Sequence, residues 1–430
     1  MKITMRKKLI NYSIFILLIL LLTLNFSKNL IGKNFIGTPI FEGFQTDSEY
    51  LVFSKLFQDK YAIGNNKYGL ACVVNESNER LDNIWSLIKD YKEEKINVQD
   101  YPSQLGLQGY VFSFLYNKMH MPFLLMKLMC CILLSITITL ISYFICKKYG
   151  KLMGSIFYIT FLLSPWVVAF AKNLYWVEFT WFLPVLFGLI LSANYKKKKI
   201  WVPCIFIAVL IKCLCGYEYI STIMLGTIAF FIVDFFTTKE KEQRKEIFKT
   251  TIIVGVACLS AFIIALCTHA ALRGEGDILQ GVESIYKNDI LRRTIIVSDK
   301  EAFPEVYQES LNASVRETVS KYFNWDSNVI TGIDGKYFRL MFVSALAIIV
   351  YDLLKKKENC YRNMVMFLVF LVTTLSWLIL GKSHSYIHTH INFVLWYFGF
   401  IQICLYEVIQ FICEMTYEIG EKIEKGEKRI

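Results

Sequence analysis

The sequence predicts an all-α polytopic membrane protein with about ten transmembrane helices. Of its 430 residues, 55% are hydrophobic and only 19% are charged, whereas a soluble domain usually carries about 25% charged residues. The apolar residues also come in blocks long enough to cross a hydrocarbon core of about 30 Å as helices. These observations exclude a disordered chain and a soluble enzyme with one ordinary core.

The apolar blocks predict the positions of the spans, since each span needs about 20 predominantly apolar residues. The blocks lie near 9–26, 122–146, 152–169, 174–194, 200–215, 217–237, 250–270, 337–354, 363–381 and 391–412. Pro165 and Trp166 interrupt the block at 152–169. The first block follows a basic start and lacks a small-residue cleavage pattern, which favours an uncleaved anchor over a signal peptide.

The distribution of lysine predicts that both termini are cytoplasmic. If the N-terminus is inside, the inner connections include CKKYGK, YKKKK and LLKKKENCYR, while the clear cations of the short outer connections are Lys172 and Lys382. Basic residues beside spans are retained in the cytoplasm, so the net charge of +11 reflects this retention. The cations are scattered and no nucleic-acid motif surrounds them, so we expect no nucleic-acid partner. We expect one membrane domain, 1–430, in the cell (plasma) membrane, with a cytoplasmic tail at 413–430.

Two long segments of soluble composition, 27–121 and 271–336, are predicted on the extracytoplasmic face. In the first, Leu81, Ile84 and Ile88 recur at helical spacing, which predicts a short amphipathic helix on a surface. In the second, residues 301–323 predict one or two further helices. The twelve cysteines lie mostly in the apolar blocks, so a disulfide framework is not expected.

Ionisable residues of the apolar blocks lie toward helix ends. Lys127, Glu178, Lys212 and Glu218 are near the predicted outer ends, while Asp234, Asp352 and Glu407 are near the inner ends. Ion-coupled transporters hold their binding sites near the bilayer midplane. The predicted spans carry no ionisable residue near their midpoints, which argues against an ion-coupled transporter. All five histidines also fall on the predicted outer side: His120, His269, His384, His388 and His390.

Two groups of outer residues are candidates for chemistry. His384 and His388, four residues apart, would share a helical face that suits a metal ion or, together with Lys382, an anionic phosphate. The loop has no carboxylate, which favours phosphate. Asp47 and Glu49 flank Ser48 just beyond the first helix, and two such carboxylates can divide proton transfer and cation binding between them. A solvated acidic turn at the start of a helix would show the same pattern.

The order of these features resembles the GT-C superfamily of integral membrane glycosyltransferases. One span precedes a long outer loop with an early acidic pair, and many helices with outer polar residues follow. The local signals are TDSEYLV, SPWVVAFAKNLYWVEFTWFLP and the loop GKSHSYIHTH. Protein O-mannosyltransferases and lipid A aminoarabinose transferases belong to this superfamily. Its better-known members carry adjacent acids, whereas Ser48 separates Asp47 from Glu49 here, so which carboxylate acts as the base stays open.

The resemblance implies inverting transfer of a sugar from a polyprenyl-phosphate-linked donor to a glycan, lipid or protein acceptor on the extracytoplasmic face. Asp47 would deprotonate the acceptor, and Glu49 would assist it or hold a divalent cation, Mg²⁺ or Mn²⁺. The candidates for binding the donor phosphate are Lys172, Lys212, Arg273, Lys382 and His384, of which Lys172 and His384 rank first because they sit in short loops. The candidates for lining the substrate site are Trp166, Trp176, Glu178, Trp181, Glu218, His388 and His390. An interfacial aromatic belt accounts for the tryptophans equally well.

Three other functions fit parts of the pattern. A polysaccharide polymerase or ligase would rely on the arginines of the outer loops, which are Arg273, Arg292, Arg293 and Arg316. A lipid or sugar flippase needs a polar path through the membrane, and the empty helix midpoints disfavour it. A structural scaffold gives no reason for the histidines to collect on one face.

Overall fold

Helices account for 77% of the structure. The computed structural model describes residues 2–32, 38–81, 84–91, 95–294, 305–325 and 328–424. The last six residues of the predicted tail, 425–430, and part of the predicted 301–323 helical segment lie outside the described residues.

The α-helices follow one another with short connections, apart from the two predicted outer segments. In chain order they are α1 (Lys2–Lys28), α2 (Thr38–Gly43), α3 (Thr46–Tyr61), α4 (Ile84–Lys89), α5 (Leu107–Asn117), α6 (Phe123–Tyr149), α7 (Lys151–Leu163), α8 (Pro165–Phe170), α9 (Phe179–Ala193), α10 (Lys198–Cys215), α11 (Ile220–Thr237), α12 (Lys241–Arg273), α13 (Ile278–Ile285), α14 (Leu291–Arg293), α15 (Glu305–Asn312), α16 (Val315–Phe323), α17 (Lys336–Leu354), α18 (Cys360–Leu380), α19 (Lys382–Ile387), α20 (Thr389–Asn392) and α21 (Phe400–Glu424). A π-helical turn, Tyr286–Ile290, joins α13 to α14, and 3₁₀ turns occupy Tyr195–Lys197 and Phe393–Tyr397. Strands β1 (Ala71–Val74) and β2 (Asn97–Asp100) pair antiparallel, with Ala71 opposite Asp100.

Five helices are long and apolar enough to cross a membrane: α6, α11, α12, α17 and α18. A sixth span results if Thr389–Tyr397 and Phe400–Glu421, which meet at a bend of 54°, count as one. The described parts of α1, α7 and α9 are apolar but shorter, and α10 carries three lysines. The predicted blocks are therefore helical, and five or six of the ten have the length and composition of a span.

The predicted block at 152–169 is divided into two helices. Helix α7 ends at Leu163 and α8 begins at Pro165. The side chain of Ser164 accepts a hydrogen bond from the Val167 N–H at 3.1 Å, which caps α8. Proline suits the first position of a helix because its missing N–H would have no partner there, so this proline starts a new helix.

The outer surface of α12 is apolar, as expected for a helix in contact with lipid. Its exposed large side chains are Phe248, Ile252, Val256, Leu259, Ile263 and Ile264. A soluble protein rarely exposes such a continuous apolar stripe. This surface supports membrane embedding independently of the composition.

The described part of the first predicted outer segment is folded. The predicted amphipathic helix is α4, and its residues Ile84 and Ile88 are buried where α4 packs against α3. Its apolar side therefore faces a neighbouring helix while Ser86 and Lys89 are exposed, as expected for an amphipathic helix. Nearby, a Cβ at Gly109 would lie 1.6 Å from the Gly69 carbonyl oxygen, so only glycine permits this approach of α5 to the segment before β1.

Helices α9 and α11 pack closely at Gly188. A Cβ at this position would lie 2.1 Å from the Thr227 carbonyl oxygen. Small residues allow such approach between helices in a membrane, where packing replaces the hydrophobic effect as the cause of association.

We expect Gly188→Ala to lower the unfolding temperature of the purified protein, because overpacking a close contact costs about 1–3 kcal/mol. Gly255→Ala is the matched control, since a Cβ at Gly255 in α12 meets nothing within 4 Å. Equal unfolding temperatures for the two variants would contradict the close α9–α11 approach.

Candidate functional site

The connections that carry the predicted site residues contact one another at one end of the helices. The Gln108 side chain donates to the Tyr175 carbonyl oxygen at 3.0 Å. The Trp166 indole donates to the Asn328 carbonyl oxygen at 3.0 Å, and the Tyr322 hydroxyl donates to the Ser385 carbonyl oxygen at 2.8 Å. Both outer segments, the α8–α9 connection and the histidine loop are therefore neighbours.

Glu49 connects α3 to α6 and to the α8–α9 connection. It lies in the first turn of α3 and is only 3% exposed. One carboxylate oxygen accepts from Lys127 of α6 at 2.7 Å, and the other accepts from the Leu174 backbone N–H at 3.0 Å. Because Glu49 is buried and both of its oxygens bind protein groups, the arrangement suits a positioning role for this carboxylate.

Asp47 has the opposite environment although it is only two residues away. Its side chain is exposed, and its carboxylate has no hydrogen bond or ion pair among the described residues. Its negative charge nevertheless acts on His388 and on His390. Asp47 is thus the exposed member of the acidic pair, and its charge reaches the histidine loop.

The rings of the three loop histidines contact one another in sequence, in tilted and edge-on orientations. The ring centroids of His384 and His388 are 4.6 Å apart, and those of His388 and His390 are 6.0 Å apart. Nδ1 of His384 lies 3.3 Å from the Asn392 amide nitrogen. The His384–His388 contact agrees with the expectation that these residues share a helical face.

The environment of His388 keeps its imidazole neutral. Burial lowers its pKa from the ordinary value of 6.5 to about 4. The neighbouring His390 and Arg293 act in the same direction, while the charge of Asp47 acts against them. At neutral pH this side chain is therefore uncharged, and the charges of Arg293 and Asp47 act on it in opposite directions.

The cations predicted to bind a phosphate are engaged with protein groups. Lys172 pairs with Glu42 at 2.7 Å. The ammonium of Lys382 donates to the carbonyl oxygens of Leu311 and Ala313 at 2.9 and 2.7 Å. These carbonyls lie at the C-terminal end of α15, where a cation complements unpaired carbonyls and the helix dipole.

The other two predicted cations are also held. Lys212 donates to the Gly216 carbonyl oxygen at 2.7 Å. Arg273 donates to the Pro102 carbonyl oxygen at 3.0 Å and pairs with Asp289. Lysine and arginine are therefore used here to hold connections together.

Arg293 differs from these four cations. Its guanidinium lies 3.9 Å from carboxylate oxygens of both Glu218 and Asp289, a separation too long for a hydrogen bond. Its charge also reaches His388. The sequence placed Arg293 only among the arginines of a polymerase or ligase, and no local pattern distinguishes it from Arg273. The side chain of Arg292 lies outside the described residues.

A chain of aromatic rings leads from the histidine loop into the protein. The centroid separations are 6.2 Å for His384–Trp377, 5.8 Å for Trp377–Tyr219, 5.8 Å for Tyr219–Trp176 and 5.8 Å for Trp176–Trp181. The sequence singled out Trp176 and Trp181 but missed Tyr219 and Trp377, which lie in other elements. Trp166 is not part of this chain and instead packs on Phe393 at 5.9 Å.

Several polar atoms along this chain are buried without a hydrogen-bond partner among the described residues. They are the indole N–H groups of Trp176, Trp181 and Trp377, the Tyr219 hydroxyl and both carboxylate oxygens of Glu178. Glu178 is 0% exposed. Buried polar groups are rarely left unpaired, so such a cluster marks a place where water or a polar ligand completes the hydrogen bonds.

Among the described residues, no group of three or more His, Cys, Asp or Glu side chains is arranged to hold a metal ion.

Comparison with protein-family models, curated proteins and solved structures finds no match for this chain. The site must therefore be interpreted from its own geometry.

The Glu49–Lys127 pair generates a stability prediction. Removing one partner of a buried pair leaves an uncompensated charge and costs about 3–5 kcal/mol. We therefore expect Glu49→Gln and Lys127→Met each to lower the unfolding temperature, and the double variant to regain part of the loss. The control is Glu76→Gln, which breaks the exposed pair with Lys95 and should cost at most about 1 kcal/mol. Additive losses in the double variant would contradict the coupling.

His388 generates a pH prediction. Between pH 6.5 and about 4, the unfolded chain protonates this imidazole while the folded protein keeps it neutral. The unfolded state then binds more protons, so stability falls as the pH falls through this window. We expect His388→Asn to reduce the loss of unfolding temperature between pH 7 and pH 5, and His120→Asn, at an exposed histidine, to leave it unchanged. An unaltered pH dependence in His388→Asn would refute the assignment.

Proposed function

We propose that this protein is a glycosyltransferase of the GT-C type, which transfers a sugar from a polyprenyl-phosphate-linked donor with inversion. The observation that supports the proposal is that the charges of Asp47 and Arg293, from distant parts of the chain, both act on the neutral imidazole of His388. The reaction needs a base for the acceptor, which the exposed carboxylate supplies. It also needs hydrogen-bond donors for the departing phosphate, which the guanidinium and the neutral imidazole supply.

The proposal includes the orientation in the membrane. The ten apolar segments are proposed to span the plasma membrane with both termini in the cytoplasm. The segments 27–121 and 271–336, and the active site with them, would lie on the extracytoplasmic face. The lysine-rich connections at the other end support this orientation.

In the proposed reaction, Asp47 accepts the proton of an acceptor hydroxyl as its oxygen attacks the anomeric carbon of the sugar. The bond between that carbon and the phosphate oxygen breaks, and the phosphate departs with the electron pair. The attack comes from the face opposite the phosphate, which inverts the anomeric centre. Asp47 is assigned as the base because it is exposed, whereas Glu49 is buried and held by Lys127 and the Leu174 N–H.

Arg293 is proposed to stabilise the charge that develops on the leaving phosphate. Its guanidinium is balanced by Glu218 and Asp289 at 3.9 Å, and it retains hydrogen-bond donors for an oxygen ligand. Arginine suits this role because its planar group binds phosphate through two parallel hydrogen bonds. The unpaired groups of Trp176, Trp181, Tyr219 and Glu178 would bind the hydroxyls of the sugar.

A polysaccharide polymerase or ligase is the second candidate, and the position of Arg293 beside His388 favours it too. It performs the same class of bond exchange with a donor that carries an oligosaccharide. The length of the glycan moved from the lipid in one turnover separates the two functions.

The proposal predicts that Asp47→Asn lowers transfer by about 10²–10⁴-fold, the usual contribution of general-base catalysis. The measurement is incorporation of label into membrane glycans from polyprenyl-phosphate donors that carry radiolabelled sugars. Asp100→Asn is the matched control, because Asp100 is an exposed aspartate of the same outer segment. Full transfer by Asp47→Asn would remove Asp47 as the base.

The same assay tests the orientation. Sealed vesicles of the native orientation should transfer sugar to acceptors added outside, and inverted vesicles should not. Transfer by inverted vesicles alone would overturn the proposed placement of the site.

A further inference from the structure

A polar groove lies between α3 and α5 of the first outer segment, away from the site described above. Its main part is a depression of about 620 Å³. A second depression of about 350 Å³ shares Asp59, Asn117 and Lys118 with the first and continues it to His120. The elongated shape suits an extended ligand better than a single small molecule.

A fixed carboxylate lies on the floor of the groove. Lys55 donates to one oxygen of Asp59 at 2.9 Å, and Ser113 donates to the other at 2.6 Å. Lys55 itself is only 5% exposed, while the Asp59 side chain is 37% exposed. Each carboxylate oxygen keeps lone-pair capacity beyond these contacts, so Asp59 presents oriented acceptors to a ligand.

Helix α5 adds a mixed aromatic and amide face to this floor. Tyr110, Ser113, Phe114 and Asn117 recur at spacings of three and four residues, which places them on one side of the helix, and all four line the groove. The amide nitrogen of Asn117 donates to the Leu56 carbonyl oxygen and to Ser113. Its amide oxygen has no hydrogen-bond partner among the described residues.

Phe114 is 58% exposed, although it belongs to a segment of soluble composition. An exposed phenylalanine beside fixed polar groups is typical of a binding site, because the ring contacts apolar parts of a ligand while the polar groups orient it. The Tyr110 ring lies near it on the same face, and the Tyr110 hydroxyl is tied to the Lys67 carbonyl oxygen.

The charges of the groove select among ligands. Lys55 is neutralised by Asp59, which leaves Lys118 as the unpaired cation of the main depression among the described residues. The carboxylate and amide oxygens favour a ligand that donates hydrogen bonds, and the amide groups of the walls disfavour a purely apolar ligand. Carboxylate and amide acceptors next to an aromatic ring match the hydroxyl groups and C–H faces of a sugar.

We propose that this groove binds a neutral oligosaccharide. Asp59 lies twelve residues after Asp47 on the same helix, a distance of ~18 Å along its axis. A glycan bound in the groove would reach Asp47 only by extending past Lys55, the lining residue of α3 nearest to Asp47 in the chain. This role as an acceptor subsite rests on the proposed function, and it selects a glycan over a lipid or a protein as the acceptor.

The test is binding of maltotetraose, cellotetraose, chitotetraose and mannotetraose to the full-length protein, measured by saturation-transfer NMR. The protein is held in lipid nanodiscs, because a detergent with a sugar headgroup would compete for the groove. We expect at least one of these neutral probes to bind. Phe114→Ala and Asn117→Ala should each weaken that binding about tenfold, the loss expected from one well-placed contact. Val111→Ala is the matched control, since Val111 is an exposed residue of α5 outside the groove.

Three results would overturn the groove assignment: no binding by any of the four probes, tighter binding of tetragalacturonate than of all of them, or equal affinities in the Phe114, Asn117 and Val111 variants. The Asp47→Asn variant separates this proposal from the proposed function, because it should keep its affinity for the oligosaccharide while losing transfer. Oligosaccharide binding without transfer by the unaltered protein would leave the groove assignment standing and refute the transferase. Transfer without oligosaccharide binding would refute the groove assignment and leave the transferase proposal standing.

Discussion

The buried carboxylate of Glu49 is the contact on which the arrangement of the candidate site depends. It binds Lys127 of α6 and the Leu174 N–H of the α8–α9 connection at once. The cost of removing this charge from water is offset by the ammonium and by a charge-assisted hydrogen bond to the backbone. Since Glu49 lies in the first turn of α3, the same contact fixes the start of that helix. It thereby fixes the part of α3 that carries Asp47, whose charge reaches the histidine loop.

The single serine between the two acids explains why they have different roles. Residues two apart on a helix are separated by about 200° around its axis, so they cannot face the same neighbour. One carboxylate is buried against α6 while the other is exposed. A pair of adjacent acids would be separated by only about 100°, and both could then approach one ligand. In this chain, the spacing separates the positioning acid from the acid that is open to substrate.

Much of the fold is predictable from composition, because apolar blocks of this length have few alternatives to helices. The broken block at Pro165 is visible in the sequence as well. The packing of α4 is not, since periodicity identifies an apolar side of a helix without identifying what covers it. The hairpin of β1 and β2 was missed for a related reason: its strands have four residues each and enclose a long connection.

The candidate site is predictable in its acids and histidines but not in its cations. Lys172 pairs with a residue 130 positions away, and Lys382 reaches one 71 positions away, so no local pattern shows that either is engaged. Tyr219 and Trp377 are equally hard to identify from local sequence, because their ring contacts join residues that are distant in the chain. Sequence position identifies which end of a helix a lysine occupies, whereas its availability depends on partners from elsewhere in the chain.

The pairing of the cations decides which of them fits an incoming anion. A lysine that donates to two carbonyl oxygens would have to give up those hydrogen bonds before it could bind a phosphate, and the carbonyls would remain buried and unpaired. Arg293 faces no such exchange, because its carboxylates at 3.9 Å balance its charge without using its hydrogen-bond donors. Catalysis by charge stabilisation is most effective when the donors are already in place and need not reorganise. Within the proposed reaction, Arg293 is therefore the cation best suited to the leaving phosphate, because its carboxylates do not use its hydrogen-bond donors. The neutral His388 can donate a further hydrogen bond to the leaving phosphate. Because it carries no positive charge, it does not repel Arg293 from that phosphate.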